Sequence, residues 1–395
     1  MSENKKLTPK IRFKGFTEDW EQRKLPEIAN ISIGLVTTMT SHYMNHGVLL
    51  IRNSDIKDNK FVFDTDPIYL DEKFASENKH RQHQIGDVIT VHTGDVGTSA
   101  VITENEVNSI GFATLISRPN KEIIDSYYLS TFYNTDKHKK FAILMSTGDG
   151  RTNYNLGDFI ELIVPFPKKE EQFKIASFIN NIDNLITLHQ RKYDKLVKIK
   201  SSLLEKMFPK NSSKIPEVRF KGFTEDWEQR KFGNIFNYER PDKYIVESDE
   251  YIENGKNPVL TANKAFILGY TNETETYKRE KESIIFDDFT LDTKFVDFPY
   301  MVKSSAIKIL TLKDQNTDNL RFNYELLSNH KFNMLGHARH YISVVQPEET
   351  LTTSISEQRL IGNTFKELDN LITLHQRKLN KLQNIKKSLL DKMFV

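Results

Sequence analysis

The chain has 395 residues, 28% charged and 38% hydrophobic, with net charge +2 and no cysteine. That composition fits folded domains and excludes a disordered chain, a disulfide framework or a thiolate metal site. The length exceeds one ordinary core, no apolar run approaches a bilayer span, and the start MSENKKLTPK lacks a secretory stretch, so two domains in the cytoplasm with no membrane partner are expected.

From the N-terminus, the first feature is the string RFKGFTEDWEQRK at Arg12–Lys24, which recurs unchanged at Arg219–Lys231. Its aromatic residues, Phe13, Phe16 and Trp20 and their copies Phe220, Phe223 and Trp227, read as a packing clasp at a domain entrance, with Thr17-Glu18-Asp19 as a helix or turn start. A second string, DNLITLHQRK, occurs at Asp183–Lys192 and Asp369–Lys378. The two repeats have offsets of 207 and 186, so the second intervening stretch is 21 residues shorter than the first. This period is too long for a solenoid and describes a two-fold internal repeat of identical brackets around dissimilar inserts. Identical brackets call for the same surface or partner twice; different inserts call for two tasks.

In the first insert, short β-type runs at Ile85–Val91, Ser99–Thr103, Phe112–Ser117 and Glu161–Phe166 are bounded by Gly, Asp and Asn, with a helix expected at Asp125–Lys140. The second insert has strand runs at Pro258–Thr261, Ser283–Phe286, Lys294–Phe298 and Ser305–Leu310, and a helix expected at Tyr324–Leu335. Each is read as an α+β domain.

After each insert comes a long helical pattern. Phe178, Ile182, Leu185, His189, Tyr193, Leu196, Ile199, Leu203 and Met207 recur every three or four residues, and Leu368, Leu371, His375, Leu379, Leu382, Ile385, Leu389 and Met393 repeat the stripe. Pro209 stops the first helix before the polar linker Lys210–Pro216. At ~1.5 Å per residue, Lys174–Phe208 reaches about 50 Å. A helix this long with one apolar stripe needs a partner, and antiparallel packing against its own repeat would give the halves a pseudo-two-fold relation. Arg191–Lys214 carries +6 and Arg377–Lys392 carries +5, which against the total of +2 leaves −9 for the rest. That asymmetry fits either an acidic partner or a solvated lysine face.

Catalytic constellations are fragmentary. Asp297-Phe298-Pro299-Tyr300 is similar to the tetrad of amino-methyltransferases, but Phe stands where Pro is required and no Gly-rich cofactor loop precedes it, so a strand end is expected. Pro241-Asp242 with Asp292-Thr293-Lys294 is a loose nuclease-like spacing. The pairs His42/His46, His80/His83 and His337/His340 lack a companion carboxylate set, and no P-loop string is present. Two Gly-flanked loops suit binding better. Ser146–Asn155 ends in Arg151, Asn153 and Tyr154; Gly336–Tyr341 places Arg339, His340 and Tyr341 at a matching position. Arg reads guanine or grips phosphate and Asn reads adenine, each through two hydrogen bonds; the other reading is a turn with solvent-facing polar groups. Thr93–Gly97 is read as a structural Gly loop.

The whole pattern resembles the specificity subunit of type I restriction–modification systems. The resemblance rests on the RFxGFxxxWexxkL motif at Arg12–Leu25 and Arg219–Phe232, and on the Glu-Gln-led helices running from Glu171-Gln172 to Phe208 and from Glu357-Gln358 to Phe394. Pro165-Phe166-Pro167 matches the family's Pro-rich turn into the helix, whereas the second half has Leu351-Thr352-Thr353-Ser354 there. The resemblance implies an α+β fold of two target-recognition domains (1–168 and 218–353) separated by two long antiparallel coiled-coil helices (169–208 and 354–395), with a linker at 209–217. Each domain would read half of a split site in double-stranded DNA. The helices would dock two modification subunits, with Leu185, Leu188, Leu196 and Leu203 and their repeats Leu371, Leu374, Leu382 and Leu389 as candidate docking residues. The chain would be non-catalytic and bind no cofactor. S-adenosylmethionine for adenine methylation, and ATP and Mg2+ for cleavage by restriction subunits, would belong to partners. The competing reading is a scaffold that bridges two copies of a partner protein without touching DNA.

Overall fold

The computed structural model describes residues 7–63, 67–146, 153–210, 213–248, 250–263, 265–277, 282–334, 336 and 338–395. The chain divides into two compact units, one of residues 1–189 with 378–395 and the other of residues 190–377. Each long helix, Lys169–Lys206 and Ile355–Met393, is therefore shared, starting in one unit and ending in the other.

In the first unit the bracket strand Glu21–Lys24 pairs antiparallel with Ile163–Phe166, so the two ends of the insert are zipped together just before the long helix. The main sheet is antiparallel in the order Ala29–Ile33, Leu115–Pro119, Val88–Thr90, Ser99–Val101. Val88–Thr90 and Ser99–Val101 are buried throughout, as continuous small and β-branched runs allow for strands covered on both faces. A second sheet sets Val48–Ile51 between Tyr69–Leu70 and a parallel neighbour, Ile110–Gly111. The run expected at Phe112–Ser117 begins later because Ala113 turns through a left-handed φ of 48°. The helix expected at Asp125–Lys140 is two helices, Ser126–Tyr133 and Asp136–Met145. Asn134 breaks it by bonding to both the N–H and the C=O of Ser99, and the Thr135 hydroxyl caps the next helix at His138 N.

The second unit repeats this plan under an unrelated sequence. Glu228–Lys231 pairs antiparallel with Glu349–Thr352. Its main sheet runs Phe236–Glu239, Ile307–Leu312, Ser283–Asp287, Thr293–Val296, and Asn257–Leu260 again has one antiparallel and one parallel neighbour. The helix expected at Tyr324–Leu335 lies at Leu320–Asn329, started by the Asn319 side chain accepting from Phe322 N as Asp125 accepts from Tyr128 N in the first unit. The inserts that differ in sequence share one topology.

The cores are closed by exchanged helix ends. Phe394 packs edge-on to Trp20 at 6.2 Å in the first unit, and Phe208 meets Trp227 at 6.0 Å in the second. No helix among the described residues is long and apolar enough to cross a membrane.

Candidate nucleic-acid interface

In each insert an interior strand of the main sheet runs out into a loop, and a string from just before the long helix docks on it. In the first, Val88–Thr90 leads to His92-Thr93-Gly94-Asp95. Tyr154 N donates to His92 O at 2.8 Å, the His92 ring donates from Nδ1 to Tyr154 O at 2.7 Å, and Thr93 Oγ1 donates to Asn153 Oδ1 at 2.9 Å. Gly94 supplies a φ of +99° at the tip. In the second, Ser283–Asp287 leads to Asp288-Phe289-Thr290, and His340 N donates to Asp288 O at 2.9 Å. Asp288 Oδ1 accepts from Tyr341 N at 2.8 Å while Oδ2 faces the buried Lys308 ammonium at 3.1 Å. The Tyr341–Val345 segment makes one π-helical turn directly after this joint.

The two candidate strings thus sit at matching places, but the side chains facing outward differ from those expected. Arg151 lies outside the described residues. Asn153 is half-buried and held by Thr93. Tyr154, His340 and Tyr341 are wholly buried, which corrects their expected role as DNA contacts. Tyr154 packs against Phe159 at 5.3 Å; Tyr341 packs against Tyr238 and Phe286 at 5.3 and 5.4 Å. Burial pushes both phenol groups well above their ordinary pKa. They anchor the strings, because a Tyr or His ring offers more apolar area to a core than to water. Arg339 is exposed, with its guanidinium carbon 5.9 Å from the centroid of the Phe289 ring.

The catalytic fragments have structural places. Tyr300 of the Asp297–Tyr300 tetrad is buried, its hydroxyl 2.9 Å from Ser283 Oγ. His42 pairs with Asp71 at 2.7 Å and stacks on Phe74. His83 is buried on Ser109, and loss of hydration pushes its pKa down to about 4. Among the described residues, no group of three or more His, Asp or Glu could hold a metal ion.

The brackets repeat in atomic detail. Arg12 makes a two-pronged pair with Glu171 at 2.8 Å, and Arg219 does the same with Glu357 at 2.7 and 2.8 Å. Both carboxylates are buried, and these hydrogen bonds raise each guanidinium pKa against the opposing effect of burial. The adjacent glutamines do equivalent work. Gln172 accepts from Asp125 N and donates to Pro167 O; Gln358 accepts from Asn319 N and donates to Thr353 O. The second helix therefore starts as the first does despite lacking the Pro-rich turn, with Ser354 Oγ accepting from Glu357 N.

Along the helices, Asp183 pairs with Lys386 in the first unit and Asp369 pairs with Lys200 in the second, as antiparallel running requires. The candidate docking leucines divide. Leu203 packs into the second core and Leu389 into the first, while Leu196 and Leu382 are half-buried. Leu185 and Leu188 are each 45% exposed, and their copies Leu371 and Leu374 are each 43% exposed. Four exposed leucines in duplicate positions, each pair on one helix face at i and i+3, form two matching apolar sites.

Comparison with known proteins bears on this arrangement. A family model described as the type I restriction modification DNA specificity domain matches the chain twice, over residues 17–198 and 224–384. The chain belongs to that family. The EcoR124I/EcoR124II specificity subunit of Escherichia coli is 46% identical over 115 residues, a match spanning 28% of this chain and 28% of that protein. A Methanocaldococcus jannaschii protein named for the MjaX type I restriction enzyme specificity subunit is 24% identical over 401 residues, covering 95% of this chain and 92% of its own. The crystal structure of the type I S subunit from M. genitalium superposes with a TM-score of 0.65 at 17% identity, over 98% of this chain and 99% of that one, and so shares the fold.

Sequence reasoning missed Asp288, Lys308 and Phe289. The only available signal was the adjacent pair Asp287-Asp288 at the end of an apolar run, since two neighbouring carboxylates at a strand end must each find a donor.

Proposed function

We propose that this chain is the sequence-reading subunit of a type I restriction–modification complex, with each insert reading one half of a bipartite site in double-stranded DNA. The observation that carries this reading is the contrast within one topology: matching loops in the two inserts expose different side chains, Asp95 in one and Phe289 and Arg339 in the other. Two readers of the same build with different tips suit an asymmetric target. The identical exposed leucine pairs, Leu185/Leu188 and Leu371/Leu374, suit one partner protein bound twice, and these would be two modification subunits. Half-sites one helical turn apart lie ~34–36 Å centre to centre, a span within the reach of helices of 38 and 39 residues at ~1.5 Å per residue. Lysines on those helices would follow spacer phosphates and make binding salt-dependent. S-adenosylmethionine would be held by the modification subunits, and ATP and Mg2+ by the restriction subunits; adenine methylation and cleavage would be their work in the cytoplasm.

The test is methylome sequencing of a host that expresses this chain with its modification subunit. The expected result is one bipartite adenine-methylated motif, lost when either protein is omitted. A complex that assembles but neither methylates nor protects any sequence would overturn this reading in favour of a scaffold.

A further inference from the structure

Phe289 is 41% exposed although a Phe side chain favours burial, and it stands on a loop with little freedom to move. Asp287 Oδ1 accepts from both Phe289 N and Thr290 N at 2.9 Å, Leu291 N donates to Asp287 O at 3.0 Å, and Leu291 holds a left-handed φ of 64°. Beneath, Asp288 is fixed by Lys308 and by the string carrying Arg339. Arg219, Arg230 and Arg321 are each engaged with a carboxylate, whereas Arg339 has no carboxylate partner among the described residues. Its guanidinium is instead held over the Phe289 ring at 5.9 Å, which leaves its donors free at the edge. A rigid apolar disc beside an unspent planar cation offers more than a phosphate contact uses, since phosphates are held by hydrogen bonds and apolar contacts go to base edges. It matches the major-groove edge of a thymine beside a guanine: a methyl group for the ring, and the O6/N7 pair for the fork. Successive bases on a strand rise ~3.4 Å, so neighbouring bases fall within the separation of the two side chains. The corresponding tip of the first insert, Thr93-Gly94-Asp95, has no aromatic residue.

We propose that Phe289 and Arg339 form the base-reading pair of the second insert, Phe289 against the C5-methyl group of a thymine and Arg339 on an adjacent guanine. The assignment rests on the DNA-reading function proposed above and narrows it to two side chains and two bases. The experiment uses the complex of this chain with its modification subunit on duplexes carrying its methylated motif. Each thymine of each half-site is replaced in turn by uracil, which lacks only the methyl group. With the unaltered chain, one uracil beside a guanine in one half-site is expected to slow methylation about tenfold, the scale of a lost methyl contact. Phe289→Ala should be slower by a similar factor on thymine DNA and indifferent to that uracil, while Phe289→Leu keeps part of the sensitivity. Arg339→Lys should relax the neighbouring guanine, with preference in the other half-site unchanged as the control for folding. Phe289→Ala remaining as sensitive to uracil as the unaltered chain would overturn the proposal, as would a half-site with no thymine beside guanine. A complex that methylates no DNA at all would instead remove the reading on which it rests.

Discussion

Where the docking string meets the strand end, the first insert uses the ring of His92 and the second uses the carboxylate of Asp288, paired with buried Lys308. The topology and the position of the joint are the same, yet one joint is closed by a ring-to-carbonyl hydrogen bond and the other by a carboxylate paired with a lysine. The brackets show the reverse: Arg12–Glu171 and Arg219–Glu357 agree in residue, geometry and burial. What is held constant in this chain is the frame that carries the readers. What varies is the chemistry within each reader, including how its tip is braced.

That contrast can be broken most forcefully at the frame. Glu171→Ala and Glu357→Ala each leave a largely buried guanidinium without its counter-charge, and each should cost about 3 kcal/mol, measured by chemical unfolding. Equal losses are expected; a large difference would mean that the two brackets are not equivalent.

Acid should separate the units next. His83 and His138 in the first unit are buried, and loss of hydration lowers both from 6.5 to about 4, so they are neutral in the fold. Above about pH 6.5 the unfolded chain is neutral at these rings too, and they contribute no pH dependence. As pH falls from 6.5 towards 4 the unfolded chain takes up the protons first, and each ring destabilises the first unit by up to about 3 kcal/mol. In the second unit Glu325 shifts the other way, since burial raises its carboxyl and the fold holds its proton more readily. Hydrogen exchange between pH 7 and 5 should therefore show the first unit opening before the second, and the opposite order would contradict these assignments.

The joints offer a finer comparison. Asp288→Asn leaves the Lys308 ammonium buried without a counter-charge and should destabilise the second unit by about 2–3 kcal/mol, whereas His92→Ala removes the one ring hydrogen bond to Tyr154 O, worth about 1 kcal/mol. Thermal unfolding of the two variants measures the difference. The least effect on the fold is expected from Leu185→Asp with Leu188→Asp, or from the pair at Leu371 and Leu374. Exposed positions of this kind change stability by about 0.5 kcal/mol or less, yet each double variant should lose one modification subunit from the complex by analytical ultracentrifugation.

The sequence carried the frame well because its signals are local: caps, an apolar stripe and an aromatic clasp, each copied once. The matching placement of the two candidate strings was also legible, since a Gly-flanked polar string before a strand marks a surface turn. Which of its side chains face water was not. Tyr154 and Tyr341 turn inward because His92 and Asp288, more than fifty residues away, capture the adjacent backbone, and no local pattern encodes that. The shared topology of the inserts was hidden for a related reason. Many apolar sequences satisfy one arrangement of strands, and neither insert repeats the other's residues.

The exchange of helix ends has a consequence for the order of synthesis. Met393 and Phe394 belong to the core built around Trp20, so the domain made first lacks part of its interior until the last helix emerges. Roughly 190 residues separate the two pieces of that unit, and at ~5–20 residues per second the ribosome takes on the order of 10–40 s to supply the missing one. During that interval the nascent first reader presents an open aromatic socket, and the second reader, whose plug Phe208 precedes it in the chain, can finish before the first.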